Sequence, residues 1–285
     1  MWIAGGQKGG MATSTVEYIA VNNNNSQLVP NLPTKIYDSP SMFRHNKTIM
    51  LCGGKYNSQT CLKLQEGTWT EYNSLKEERR VAAVVSTTKA TFIFGGSFDS
   101  FDSFEYLEKN TSEWKLGETK VPGLGFQHGC AIAISQDEIW LIGGYDTEQR
   151  ILSFNVNNQS FTELPTTLKQ GREELQCAFI PGTRNIMVTG GKYYGNRYDS
   201  TEIINVEIGK VIEGPPMNSK RASHGIGVLN VDSQERIVVI GGENGLVRLE
   251  SVEVYNSQTQ KWELINIELS EAKTQFGFLT IKSQP

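Results

Sequence analysis

The chain has 285 residues, 38% hydrophobic and 20% charged, and Lys+Arg 27 against Asp+Glu 31 leave a net charge of -4. That length supports a core of ordinary size, and the acidic balance gives no basic footprint, so nucleic acid is not expected as a partner. Apolar runs such as Cys130–Ile134 fall far short of the roughly eighteen residues a membrane helix needs, so no membrane insertion is expected, and no basic segment precedes a long apolar stretch at the N-terminus, so no leader is expected either.

Along the chain, a glycine doublet closes a short apolar run six times, at Gly5-Gly6, Gly53-Gly54, Gly95-Gly96, Gly143-Gly144, Gly190-Gly191 and Gly241-Gly242. The steps are 48, 42, 48, 47 and 51 residues, so a unit of about 47 residues, repeated six times, uses the whole of 1–285 as one domain. After each doublet comes an apolar-polar-apolar strand: Val16–Tyr18, Leu62–Leu64, Phe104–Tyr106, Leu152–Phe154, Thr201–Ile203 and Val252–Val254. A bulky residue then opens an outer strand, as at Trp69, Trp114, Phe161, Val211 and Trp262. A fourth strand of small and branched residues precedes the doublet, over Val81–Ser86, Gly129–Ser135, Cys177–Ile180 and Gly225–Asn230. No segment carries a helical period. Four-stranded sheets too small to bury their own faces, repeated six times, predict an all-β, six-bladed propeller.

Trp2–Ala4 is already the second strand of a unit, whereas Lys273–Ile281 follows the last outer strand. The C-terminal segment is therefore expected to pair beside Trp2–Ala4 and close the ring inside the first blade. Asn22–Asn25 reads as a polar turn between two strands of that blade. The glycines are expected to permit a bend and the close approach of an outer-strand Trp.

Doublet, apolar-Glu-apolar strand and Trp recur in order around Gly95 and Gly241, and in this the chain resembles the kelch-repeat family over its whole length. The unit around Gly53 has Lys63 in place of the Glu, the unit around Gly143 has Ser153 and Phe161, and the unit around Gly190 lacks the Trp. The resemblance implies a propeller that binds a partner protein through its rim loops, as in kelch proteins of the ubiquitin-ligase adaptor type. Galactose oxidase shares this architecture and holds copper with a cysteine-linked tyrosine. No equivalent set of Tyr, Cys and two His maps onto this sequence, so no metal and no cofactor are expected.

Arg79, Arg80, Arg172 and Arg221 fall in connections between blades, and the loops after the doublets carry Tyr56, Phe98, Phe101, Tyr145, Arg150, Tyr193, Tyr194, Arg197, Tyr198 and Arg248. Aromatics and Arg on one rim match the composition of binding hot spots. A planar guanidinium suits carboxylates, so an acidic peptide or a C-terminal carboxylate is the expected ligand, bound by a monomer. His128 and His224 precede inner strands, are expected at matching places near the channel mouth and join this candidate surface, with His45 apart from it. Cys130 and Cys177, each thirteen residues before a doublet, read as small buried wedges, whereas Cys52 and Cys61 flank one hairpin and a disulfide between them is weighed against two thiols. Sequons begin at Asn24, Asn46, Asn110 and Asn158 and by themselves decide nothing.

Two rival readings remain at this level. One is an enzyme at the channel mouth of the sialic acid mutarotase type, with Arg172 or Arg221 holding a carboxylate. The other is an extracellular recognition domain. The compartment follows from whether Met1 is the native start, in which case it is cytoplasmic, or whether the chain is part of a secreted protein.

Overall fold

The computed structural model describes residues 1–20, 25–56, 58–96, 100–123 and 125–281. Phe98 and Asn22–Asn24 therefore lie outside the described residues. Six antiparallel four-stranded sheets form the blades of a propeller, in agreement with the repeat, and there is no helix among the described residues. From axis to rim, the second blade runs Ser41–His45, Thr48–Cys52, Cys61–Gln65, Thr68–Tyr72, and the third Ala83–Ser86, Ala90–Phe94, Phe104–Glu108, Lys115–Leu116. The fourth runs Cys130–Ala133, Glu138–Ile142, Ile151–Asn155, Phe161–Glu163. The fifth runs Gln176–Phe179, Asn185–Thr189, Thr201–Asn205, Lys210–Gly214, and the sixth Gly225–Val231, Gln234–Ile240, Ser251–Asn256, Lys261–Glu268. The first blade is composite: Gly277–Leu279 pairs with Trp2–Ala4, followed by Val16–Ala20 and Asn25–Val29, with Trp2 opposite Leu279 and Ala4 opposite Gly277.

The second strand of each blade is sandwiched between two neighbours, which is why Thr48–Cys52 and Ala90–Phe94 are nearly continuous apolar runs. Its side chains alternate between the two flanking blades. Ile49 and Leu51 enter the layer shared with the first blade, and Met50 and Cys52 the layer shared with the third. The core is accordingly six apolar layers, one in each cleft between blades. Trp69, Trp114 and Trp262 are buried in the layer facing the preceding blade. The indole N–H of Trp69 donates to the Pro30 carbonyl at 3.0 Å and that of Trp262 to Pro215 at 3.1 Å.

The doublets do not receive a Trp, as the sequence suggested. They receive the backbone of the next blade's connection. A Cβ on Gly53 would strike the Arg79 carbonyl, and one on Gly95 the Phe126 carbonyl; both glycines have positive φ. In every blade the N–H of the second glycine donates to such a carbonyl: Gly6 to Ile36, Gly54 to Arg79, Gly96 to Phe126, Gly144 to Arg172, Gly191 to Arg221 and Gly242 to Lys273, at 2.8 to 3.1 Å.

In four of the six connections the residue that accepts this bond also holds its own blade together. The Arg79 guanidinium donates to the Gly95 carbonyl (2.7 Å) and to Glu105 (2.9 Å), and both side chains are sealed from solvent. Arg172 repeats this with Gly190 and Glu202, Arg221 with Gly241 and Glu253, and Lys273 with Glu17. Burial pulls each guanidinium below its ordinary pKa, and the facing carboxylate opposes the shift. The strand registers correct one alignment. Cys52 lies opposite Cys61 and Ile142 opposite Ile151, so the residues matching Glu105 are Leu62 and Leu152, not Lys63 and Ser153. In those two blades the place of the cation is taken by Ile36 and Phe126, so the buried pair is replaced as a unit by apolar groups.

All four cysteines form disulfides. Cys52–Cys61 joins facing residues of one blade with Cα atoms 4.1 Å apart. Cys130 and Cys177 are not independent wedges; they bond to each other across the cleft between the fourth and fifth blades, with Cα atoms 6.0 Å apart. Counting back from the doublets made them equivalent, but Cys130 faces Ile142 whereas Cys177 faces Val188, one residue short of the equivalent Thr189. A one-residue slip in a strand turns the side chain to the opposite face. Cys177 is thereby aimed back at Cys130.

Replacing Trp262 by Ala is expected to cost about 3 to 5 kcal/mol in denaturant unfolding, the range for deleting a large buried aromatic. Arg221→Ala, which strands the buried Glu253 carboxylate, is expected to cost about 3 to 5 kcal/mol. Arg221→Phe combined with Glu253→Leu, the pair found in the fourth blade, is expected to return to within about 2 kcal/mol of wild type.

Candidate functional site

Tight turns emerge on one face of the propeller. The doublet loops and the connections between blades emerge on the other. At the centre of that second face, the residue two places before each inner strand (Ser39, Val81, His128, Glu174, Ser223 and Gln275) adopts a left-handed φ of 48 to 58°. The backbones form a belt around the channel mouth: Val81 N–H donates to the Asp38 carbonyl, His128 to Val81, Glu174 to His128, Ser223 to Glu174, Gln275 to Ser223 and Ser39 to Gln275, at 2.6 to 3.3 Å. A left-handed conformation is costly for a β-branched residue such as Val81. The belt overrides that preference.

Glu174 is the hub of the mouth. Its carboxylate accepts from Lys192 Nζ and Ser223 Oγ, both at 2.6 Å, and lies 3.7 Å from His128 Nδ1. Burial pushes the Glu174 carboxyl up, but Lys192, His128 and the Ser223 hydroxyl together outweigh it and hold the group below its usual value. Ser223 donates to a carboxylate that Lys192 also meets, and not to an imidazole. Across the mouth, burial raises the Asp38 carboxyl, Lys55 and Arg80 pull it down, and Glu174 raises it further.

Beside the hub lies a cavity of about 310 Å³ whose lining includes Gln7, Lys192, Arg197, Glu243, Arg248 and Gln275. Arg197 Nε donates to Glu243 at 2.6 Å. Arg248 donates to the neutral Gln7 Oε1 at 3.0 Å and pairs with no carboxylate among the described residues; its Nε and the Gln275 Oε1 are buried without partners. The unmatched atoms are one donor and one acceptor, and Arg248 carries the one positive charge of the lining without a carboxylate.

Around the mouth every blade contributes an exposed large apolar side chain: Met11, Tyr56, Phe101, Tyr145, Tyr194 and the pair Leu246 and Val247, from 37% exposed at Phe101 to 93% at Leu246. Two extra hairpins, Gln7–Lys8 with Met11–Ala12 and Lys192–Tyr193 with Asn196–Arg197, carry Met11 and Tyr194 at or beside their tips.

The structure divides the residues anticipated from sequence. Tyr56, Tyr145, Tyr193 and Arg197 belong to the face described here, and Arg80 is half-buried beside Asp38. Arg79, Arg172 and Arg221 are buried with their guanidiniums bonded inside their own blades, and they offer nothing to a partner. Arg150 is bonded to the Pro122 carbonyl and to Glu163, away from the mouth. His128 and His224 are not equivalent: His128 sits in the belt, whereas His224 is one place further on and buried, with Nε2 2.9 Å from Thr189 Oγ1. Sequence reasoning missed Met11, Leu246 and Val247, because it sought aromatics and arginines, and it missed Glu174 and Lys192. Burial, with Arg221 nearby, lowers the His224 imidazole to about 3, from an ordinary 6.5. The unfolded chain therefore takes up a proton that the native state refuses, so stability is full above about pH 6.5 and falls as the pH drops toward 3. The expected slope from this group is up to about 1.4 kcal/mol per pH unit, and His224→Gln should flatten it in urea titrations at pH 6 and pH 4.

The solved structure of YjhT superposes with a TM-score of 0.72 at 14% identity, covering 87% of this chain and 88% of its own; at that identity the likeness is one of fold. Among curated proteins, none matches the sequence. A family model, the KLHDC2/KLHL20/DRC7 Kelch-repeats domain, matches residues 81–281, well over half of the chain. With the six doublet-bearing blades, that match makes this protein a member of the Kelch-repeats domain family.

Proposed function

We propose that this propeller is a non-catalytic interaction module whose doublet-loop face docks a partner protein and whose mouth takes an acidic group from it. The observation that carries this reading is the ring of exposed apolar side chains, at least one from each blade, on a single face. Such a concentration is what a docking surface requires, whereas scattered apolar residues need no explanation. At its centre Arg248 supplies the uncompensated guanidinium that an acidic peptide would neutralise, the role first sought among the buried arginines. With Arg197 and Lys192 each already paired to a carboxylate, a ligand of one negative charge suits the cavity better than a polyanion.

The test is capture from native extract by wild type and by a Tyr194→Glu, Leu246→Glu variant, which changes only exposed side chains and should melt like wild type. The partner is expected on wild type alone; equal capture by both overturns the use of this face. On an array of acidic and neutral peptides, Arg248→Ala is expected to weaken acidic binders at least about tenfold. An unchanged array removes the mouth from the reading, and binding of small acidic sugars in place of peptides turns it toward a small-molecule site.

A further inference from the structure

The two disulfides differ in what surrounds them. Cys52 and Cys61 are sealed in the apolar layer between the second and third blades, where the ladder already holds the two strands. Cys130 and Cys177 line the central channel, a space of about 370 Å³, and link inner strands of different blades that share no ladder. The link lies directly below the mouth. Cys130 is two residues from His128 and Cys177 three from Glu174, and the belt bond from Glu174 N–H to the His128 carbonyl spans the same cleft. Breaking this disulfide removes a covalent cross-link between two blades, whereas breaking the other leaves one blade paired as before.

We propose that Cys130–Cys177 is a thiol-exchange site, open to small thiols and dithiols through the channel, whose reduction loosens the joint between the fourth and fifth blades beneath the His128–Glu174 contact. A thiolate entering the channel attacks one sulfur and forms a mixed disulfide as the Cys130–Cys177 bond breaks. The released cysteine thiolate takes a proton from water. A second thiol of the reductant then displaces the other cysteine, so two electrons and two protons pass to the protein and the reductant leaves as its own disulfide. Rates of such exchange depend on access to the sulfur as well as on thiolate character. All four cysteines are buried, Cys130 and Cys177 at 6% and 8% exposure, and the channel beside that one pair is what distinguishes it. The proposal does not depend on the nature of the partner, since its primary readout is the joint itself.

The experiment takes the full chain prepared without reductant, exposes it to graded dithiothreitol or glutathione, blocks thiols by rapid alkylation and maps them by mass spectrometry. Cys130 and Cys177 are expected to be alkylated at least about tenfold faster than Cys52 and Cys61. In the selectively reduced protein, amide hydrogen exchange at Glu174 and along Gln176–Phe179 is expected to accelerate while exchange along Ser41–His45 stays unchanged. Cys130→Ser with Cys177→Ser should reproduce that pattern without reductant, and Cys52→Ser with Cys61→Ser should not. Four free thiols in protein prepared under air, simultaneous reduction of both pairs, or unchanged exchange at Glu174 after selective reduction would each overturn the proposal. Because the reduced wild type and the serine variant are read separately, failure of the variant to fold leaves the first measurement decisive.

Discussion

Neighbouring blades are held in phase by one backbone hydrogen bond repeated around the ring, from the second glycine of each doublet to a carbonyl in the next connection. Nothing larger than hydrogen fits on the first glycine, because that carbonyl occupies the space. In three connections the same residue sends its guanidinium to the next doublet, so Arg79, Arg172 and Arg221 couple blade to blade through one side chain and one peptide unit. Burying such a cation is tolerable only because a carboxylate on the third strand meets it, and the second and fourth blades show the alternative in which both charges are absent.

This arrangement decides where function can reside. Charges that phase the ring are consumed in the interior. What remains on the doublet-loop face is a polar mouth fixed by the belt of left-handed residues, with apolar side chains standing around it. The belt holds Glu174 by its backbone on both sides, so its side chain projects from a rigid frame while Leu246 and Tyr194 project from loops. A rigid charged centre within an adaptable apolar margin is suited to recognising one feature of a partner closely and the rest of it loosely.

The fold was legible because a glycine doublet answers to a steric demand that recurs with every blade, and the C-terminal closing strand followed from the one missing element. The site was less so. Arg172 in a loop looks the same in sequence whether the loop turns outward or folds under the next doublet. A signal did exist within the chain: each of Glu17, Glu105, Glu202 and Glu253 has a cation four residues before its blade's inner strand, and Leu62 and Leu152 have none. Reading it needs the register to one residue, and turns of unequal length obscured that register. The same slip hid the pairing of Cys130 with Cys177 and made His128 and His224 look alike. Leu246 and Val247 gave no sign, since exposure depends on tertiary context and an isolated Leu-Val reads as core.

The composite first blade also sets the order of assembly. Gly277–Leu279 lies beside Trp2–Ala4, so of the propeller's strands the one synthesised last belongs next to the one synthesised first. During synthesis the blades can stack one after another, but they do so as an open arc whose leading sheet lacks its axial strand. Ile3 and Ile19 share an apolar layer with Val238 and Val252 and wait for the sixth blade to be covered. Until those segments emerge the nascent propeller carries an unsatisfied sheet edge and an apolar flank, and chaperone engagement would be concentrated at its first blade.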